Sequence, residues 1–319
     1  MSVEASNING LKITISILTY NRAPVLKGLL SELGALTYRP LEIIVVDNCS
    51  ADDTQQMIQE EFEFVRYFRT SENMGAVARN IGMENADGEI IITLDDDISG
   101  IKDEDLALIG KIFRDRPTIG AVNFKIIDYF NGNICNWAHH CEVEKYSETE
   151  FHTYEITEGA VAFRKKAIQI VGYYPTSFFL SHEGPDLAFR LIDSGFDVIY
   201  SNKIAVRHSH SDMGRKSWLN YYYDTRNQLW LAIRHFPPAY AIKYLTRGWL
   251  SMLVYSVRDG FFLYWLKGIK DGIKNTPEVI KNRKVLTKRT MAIINRIDER
   301  RPNLYRLIKI RLGKKGVRL

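Results

Sequence analysis

Asp95, Asp96 and Asp97 stand together directly after the apolar run Glu89-Ile-Ile-Ile-Thr-Leu94. Three adjacent carboxylates repel one another, so such a run is costly unless cations or hydrogen-bond donors compensate it. In an extended segment, side chains at i and i+2 point the same way, which places Asp95 and Asp97 on one side. Oxygen donors with no Cys or His nearby in sequence suit Mg²⁺ or Mn²⁺, which bind through one or two carboxylates plus substrate phosphates. An acidic loop ahead of a helix has the same composition, so the triplet alone does not decide. A second cluster, Cys135, His139, His140 and Cys141, invites a zinc reading. Its spacing does not suit paired Cys ligands, and adjacent histidines rarely hold one ion. A loop that shapes an acceptor site is the better reading.

The elements that would position the triplet are legible in the apolar pattern. Four short runs precede residue 100: Ile13–Leu18, Ile43–Val46, Phe62–Phe68 and Ile90–Leu94. Segments of helical spacing lie between them, such as Val25, Leu29, Leu33 and Leu36, then Val77, Ile81 and Asn85. Strands alternating with helices predict an α/β fold, a parallel sheet with helices on both faces. The runs at 43–46 and 90–94 are apolar on consecutive residues, as central strands buried on both sides require. In such sheets ligands sit beyond the carboxyl ends of the strands. That rule selects Thr19 to Arg22, Asp47 to Ser50, and Asp95 to Asp97. From 101 to 213 the pattern is mixed, with strands predicted at Gly120–Ile126, Gly159–Arg164 and Val198–Tyr200 and a helix at Asp186–Ser194. From 214 to 319 it is helical, aromatic and finally basic.

Three segments, SILTYNR (Ser16–Arg22), IIVVDNCSADDT (Ile43–Thr54) and ENMGAVARNIGMENADGEIIITLDDD (Glu72–Asp97), occur in this order over about 80 residues. Together they resemble the nucleotide-binding half of family-2 glycosyltransferases of the GT-A fold, of the bacterial surface-polysaccharide type. The resemblance implies a nucleotide-sugar-binding half over 1–100, an acceptor and catalytic half over 101–213, and a helical region over 214–319. It places Thr19, Tyr20, Arg22 and Asp47 near base and ribose, and Asn73, Gly75 and Arg79 at the donor, with Asp95 and Asp96. Arg79 suits a diphosphate because guanidinium geometry matches phosphate. It also assigns the metal, Mn²⁺ or Mg²⁺, to Asp95 and Asp97, with His208 or His210 of VRHSHS as a further ligand and His208 the better match.

The second half extends the match. Glu158-Gly-Ala-Val-Ala-Phe-Arg164 resembles a small-residue strand lining the donor sugar, and SHEGPDLAFRL (Ser181–Leu191) resembles the element that supplies the general base. Many relatives carry an Asp base directly after the Glu, where this chain has Gly184. Glu183 and Asp186 are then the candidates, with Glu183 preferred because Asp186, beside Pro185 at a helix start, also reads as a cap. Tyr221-Tyr-Tyr-Asp-Thr-Arg-Asn227 resembles a stretch that follows the catalytic half in many members, and reads equally as a core helix with an aromatic stripe. The implied activity is metal-dependent, inverting transfer of a sugar from a nucleoside diphosphate, UDP or dTDP rather than GDP, to a glycan or lipid-linked hydroxyl.

Bulk properties narrow the setting. The 319 residues are 45% hydrophobic and 25% charged, a folded composition with room for a sizeable core. The net charge of +5 hides an asymmetry, since 261–319 carries 17 Lys or Arg against 4 Asp or Glu. With Tyr240, Tyr244, Trp249, Tyr255, Phe261, Phe262, Tyr264 and Trp265 just upstream, this predicts peripheral contact with an anionic membrane. Packing of those aromatics on the catalytic part or in an oligomer is the competing expectation. Three cysteines make no disulfide framework and the first residues read as no signal peptide, which predicts a cytoplasmic protein at the inner membrane face that binds no nucleic acid. Two rivals stand. A nucleotidyltransferase would carry a Gly-rich phosphate loop after the first strand, and SILTYNRAPVL has no glycine there. A non-catalytic membrane-surface protein would have no use for the intact triplet.

Overall fold

The computed structural model describes residues 10–209 and 218–302. His210 and the basic residues after 302 lie outside the described residues. The first hundred residues run β1 (Ile13–Thr19), α1 (Ala23–Gly34), β2 (Leu41–Asp47), α2 (Thr54–Glu61), β3 (Val65–Arg69), a 3₁₀ turn (Gly75–Ala78), α3 (Arg79–Asn85), β4 (Ile90–Asp95) and β5 (Ile98–Ser99). Next come α4 (Asp103–Asp115), β6 (Ile119–Asp128), α5 (Val143–Tyr146), β7 (Phe151–His152), β8 (Ala160–Arg164), α6 (Lys165–Val171), α7 (Glu183–Asp193) and β9 (Asp197–His208). The C-terminal region is helical: α8 (Trp218–His235), α9 (Pro238–Arg258), α10 (Phe262–Lys274), α11 (Thr276–Lys281) and α12 (Lys288–Asp298).

One sheet carries all nine strands, in the order β3-β2-β1-β4-β8-β6-β9-β5 with β7 on β9. Strands β1 to β4 pair in parallel, as their continuous apolar runs predict. Part of the rest departs from the expected parallel sheet: β8 runs antiparallel to both β4 and β6, and β5 and β7 run antiparallel to β9, while β6 and β9 are parallel. Two cores flank the sheet. Ile13, Ile15 and Ile17 face α1, where Leu26, Leu29, Leu30 and Leu33 recur at helical spacing and are buried. Ile44, Val46 and Ile91 face a second core that includes Leu187, Phe189, Trp230, Leu231, Ile294 and Ile297. Fully burying one such side chain stabilises by about 1.5–3 kcal/mol. Because α8 and α12 share this core with α7, the C-terminal helices are packed onto the sheet rather than appended to it.

That packing corrects the reading of the aromatic residues. Tyr255 is buried, Phe261 stacks on Tyr221, Tyr264 stacks on Trp218 at 4.7 Å, and Trp249 donates its indole N–H to the Thr225 carbonyl at 3.1 Å. Tyr240 and Tyr244 pack edge-on against Phe236. The surface left exposed on these helices is mainly aliphatic: Leu250, Val254 and Val257 on α9, and Leu263, Leu266 and Ile273 on α10. No described helix is long and apolar enough to cross a membrane.

Candidate active site

Parallel register puts the ends of three strands level. Thr19 pairs with Asp47 across β1 and β2, and Leu18 with Asp95 across β1 and β4. Residues 96 and 97 form a turn between β4 and β5, so the extended alternation that would align Asp95 with Asp97 stops at Asp95. The three carboxylates then diverge to different partners. Asp95, whose side chain is 32% exposed, pairs with Arg79. Asp96 is buried and turns back, accepting from Thr19 Oγ1 at 2.7 Å and Arg22 Nη1 at 3.0 Å. Asp97 accepts from Arg22 Nη1 at 2.9 Å and lies 3.1 Å from His208 Nε2.

Protein cations thus cancel the repulsion that the bare sequence implies, and they split the electrostatics of neighbours. Burial pushes the Asp96 carboxyl up to about 6, against Arg22 and Thr19. Burial acts the same way on Asp97, but His208 and Arg22 outweigh it and hold its carboxyl below the ordinary range. His208, opposed by burial, is raised to about 9 by Asp97 and Cys135. Asn136 Nδ2 sits 2.8 Å from its Nδ1, which fixes the ring. Among the described residues no three His, Cys, Asp or Glu side chains form a group that could hold a metal ion. Asp95 pairs with Arg79 while Asp97 pairs with Arg22 and His208, so the sequence-predicted ligands are not assembled around one point, and binding an ion there would require them to give up these partners.

The residues beyond the ends of β1, β2 and β3 hold two loops in place. Asp47 accepts from the Ser50 amide at 2.8 Å and the Tyr67 hydroxyl at 2.6 Å. Asn21 accepts from the Ala51 amide at 2.6 Å, while Tyr20 beside it is exposed. Asn73 Oδ1 takes Asn48 Nδ2 at 3.0 Å and the Gly75 amide at 2.9 Å. Gly75 has φ +68°, and a Cβ there would sit 2.1 Å from the Phe179 carbonyl, so only glycine brings the 3₁₀ turn against that segment. At the head of α3, Arg79 is buried with its Nε unpartnered, and Asn80 exchanges two hydrogen bonds with the Tyr174 backbone, at 2.9 and 3.0 Å. One short segment therefore ties the acidic turn to the second half of the sheet.

The first turn of α7 separates the two candidate bases. The helix starts at Glu183, three residues earlier than predicted, so Asp186 lies inside its first turn rather than at a cap. Asp186 is fully buried between Arg190 Nε at 2.9 Å, Arg234 Nε at 2.9 Å and His235 Nε2 at 2.7 Å. Burial alone would raise its carboxyl, but these three partners hold it far below the usual carboxylate range. Glu183 is only 3% exposed and its Oε2 has no hydrogen-bond partner. Burial, then the charge of Glu158, raises its proton affinity. Ser181 and His182 precede it with φ +71° and +67°, a conformation that costs non-glycine residues of order 1–3 kcal/mol each. Helix α8 holds that turn: Asn227 Nδ2 donates to the Leu180 and Ser181 carbonyls at 2.7 and 2.8 Å, and Asp224 lies 3.6 Å from His182. Arg226, next to it, stacks over Trp230 at 4.2 Å.

Glu158, Tyr174, Asp224 and Asn227 are the members of this region that sequence reasoning did not assign roles. Glu158 heads the Glu158–Arg164 segment, and Asp224 and Asn227 lie in the Tyr221–Asn227 stretch, so their segments were signals though their roles were not; for Tyr174 nothing in the local sequence marks it. The Cys135–Cys141 segment forms no zinc site: His139 and Trp137 pack with Phe151 and Tyr200, and His140 pairs with Glu155.

The curled mixed sheet with flanking helices is that of glycosyltransferases of the GT-A fold. The chain belongs to glycosyl transferase family 2, whose sequence profile it matches over residues 14–172. It is 23% identical over 225 residues to the O-antigen chain rhamnosyltransferase RfbN of Salmonella typhimurium, covering 66% of this chain and 71% of that one. It spans far less of some longer relatives, 16% of two uncharacterized Rickettsia glycosyltransferases. The fold is shared with Staphylococcus aureus TarS 1-349 in complex with UDP-GlcNAc, with TM-score 0.61, 17% identity, and 95% and 93% of the two chains covered. It is also shared with mannosyltransferase PcManGT from Pyrobaculum calidifontis in complex with GDP-Man and Mn²⁺, with TM-score 0.52, 17% identity, and 95% and 79% covered.

Proposed function

We propose that this chain moves a sugar from a nucleoside diphosphate, UDP or dTDP, to a hydroxyl of a glycan or lipid-linked acceptor with inversion at the anomeric carbon. The observation that carries the reading is the contrast between a cation-lined acidic turn and an unpaired, buried Glu183, with Arg79 facing both. Such transfer needs neutralisation of the departing diphosphate, a base for the acceptor hydroxyl and alignment of the two. Asp95, Asp97 and His208 would hold Mn²⁺ or Mg²⁺, which when bound offsets the negative charge of the leaving group. Arg79 lies where it can pair with the diphosphate, and Thr19, Tyr20, Arg22 and Asp47 border the nucleoside. Glu183 rather than Asp186 takes the proton, because Arg190, Arg234 and His235 already claim Asp186. The acceptor oxygen bonds to the anomeric carbon as the bond to the diphosphate breaks with its electron pair. A single direct displacement of this kind passes through no covalent sugar-enzyme intermediate. Release of nucleoside diphosphate from a panel of UDP-, dTDP- and GDP-sugars, with and without Mn²⁺, tests this reading. Metal-stimulated release is expected, and no release from any donor contradicts it.

The exposed aliphatic face of α9 and α10 supports the peripheral membrane reading in a changed form. Lys267, Lys270 and Lys274 are exposed on α10 beside Leu263, Leu266 and Ile273. Apolar area next to clustered positive charge favours binding in the plane of an anionic surface, with each Lys contributing about 1 kcal/mol. Co-flotation with phosphatidylglycerol vesicles is expected at low salt and reduced at high salt. A chain that stays unbound at low salt refutes it.

A further inference from the structure

Gly184 follows Glu183 in the first turn of α7, and the space its side chain would take is already filled. A Cβ there would lie 2.3 Å from Glu158 Oε1 and 2.5 Å from the Ile156 carbonyl oxygen. Only a residue without a Cβ lets the segment before β8 lie this close to the helix start. That segment is pinned on its other side to the acidic turn. The Glu158 carbonyl accepts from Thr93 Oγ1 at 2.6 Å, and the Gly159 carbonyl accepts from the Asp95 amide at 3.1 Å. Glu158 thus stands between Glu183 and the pair formed by Arg79 and Asp95. It is partly exposed, whereas Glu183 behind it is only 3% exposed. Three buried polar atoms around it have no protein partner: Glu183 Oε2, Tyr174 Oη and Arg79 Nε. Buried groups of this kind are normally hydrogen-bonded, so their convergence marks a place where polar atoms of a ligand or water belong.

We infer that Glu158 is a further catalytic residue, the carboxylate that meets the acceptor hydroxyl, and that it works with Glu183 as a carboxyl pair. The inference rests on the proposed glycosyl transfer and deepens it. As the acceptor oxygen bonds to the anomeric carbon and the diphosphate departs with its electrons, the hydroxyl proton passes to the pair, and leaves it to water after product release. Neighbouring carboxylates raise one another's affinity for a first proton, so the doubly ionised pair takes up the hydroxyl proton more readily than a solvated glutamate and then holds that one proton between its members. Burial, opposed mainly by Arg79, raises the Glu158 proton affinity, in keeping with that arrangement.

The test compares Glu158→Gln, Glu158→Asp and Glu183→Gln with the wild type in nucleoside diphosphate release from UDP-GlcNAc, UDP-glucose and dTDP-glucose. Binding of UDP with Mn²⁺, read by thermal shift, checks that each variant is folded. Loss of a general base costs about 10²–10⁴-fold in rate. The Glu158→Gln variant is expected to lose that much in kcat with UDP binding unchanged, and Glu158→Asp to fall between it and the wild type. If Glu183→Gln is impaired while Glu158→Gln turns over normally, Glu158 has no catalytic part and the proposed function stands. If Glu158→Gln loses UDP binding as much as rate, its role is structural and the inference is wrong. A wild type that releases nothing from any donor removes the underlying reading itself.

Discussion

The acidic turn after β4 and the first turn of α7 both crowd carboxylates, yet they are compensated in opposite ways. In the acidic turn every carboxylate has a cation: Arg79 for Asp95, Arg22 for Asp96, Arg22 and His208 for Asp97. In α7 the compensation is lopsided, with two arginines and His235 on Asp186 and a second acid beside Glu183. The same residue type is therefore set to three tasks by its surroundings. On the proposed reading, the carboxylates of the acidic turn would exchange their cations for a metal ion and diphosphate. A carboxylate locked between two arginines and His235 holds the fold together. A buried carboxylate with a neighbouring acid and no cation of its own is the proposed base.

The sharpest way to break this comparison is to neutralise each carboxylate of α7 in turn. Glu183→Gln keeps the size and removes the proton acceptor, so its rate is expected to fall about 10²–10⁴-fold with donor binding intact. Unchanged turnover would transfer the base role elsewhere. Asp186→Asn should act on stability instead, costing about 3–5 kcal/mol in urea unfolding, because it strands buried cations. Its acid dependence changes as well. A carboxyl held below its unfolded value stabilises above the ordinary carboxylate range, near 3.9, and loses that contribution as pH falls toward the folded value. The Asn variant should lack that part of the wild-type loss at low pH; an identical acid profile would exclude the ion-pair role. A smaller effect is expected at the acidic turn, where Thr19→Val removes one donor from Asp96 and should cost about 1–3 kcal/mol. Stability equal to the wild type would show that Arg22 alone satisfies Asp96.

How much of this was legible follows the physics of each part. Strands β1, β2 and β4 announce themselves because residues buried on both faces must be apolar without a break. Strands β5 and β7 are two residues each, too short for any periodicity, and of β9 only Val198–Tyr200 is predicted as strand because Asn202 and Lys203 interrupt it where its register with β6 shifts. The reversal at β8 has no sequence signature, since antiparallel pairing depends on where the chain returns and not on its composition. In the C-terminal region the aromatic residues were visible but their direction was not, because the helices they pack against are distant in sequence. The same limit applies at the site. Asp95, Asp97, Arg79 and Glu183 sit in recognisable segments, whereas Glu158 gains its meaning only from Gly184, 26 residues later, and Asn227 from the strained turn at 181–182.

The central claim is that the acidic turn holds a divalent ion together with the donor diphosphate. Calorimetric titration of UDP into the wild type and into Asp97→Asn, each with and without Mn²⁺, tests it most directly. The account predicts that Mn²⁺ tightens UDP binding to the wild type by an order of magnitude or more, while Asp97→Asn stays folded and binds UDP with the same affinity whether or not the ion is present. Equal tightening by Mn²⁺ in both proteins would contradict it.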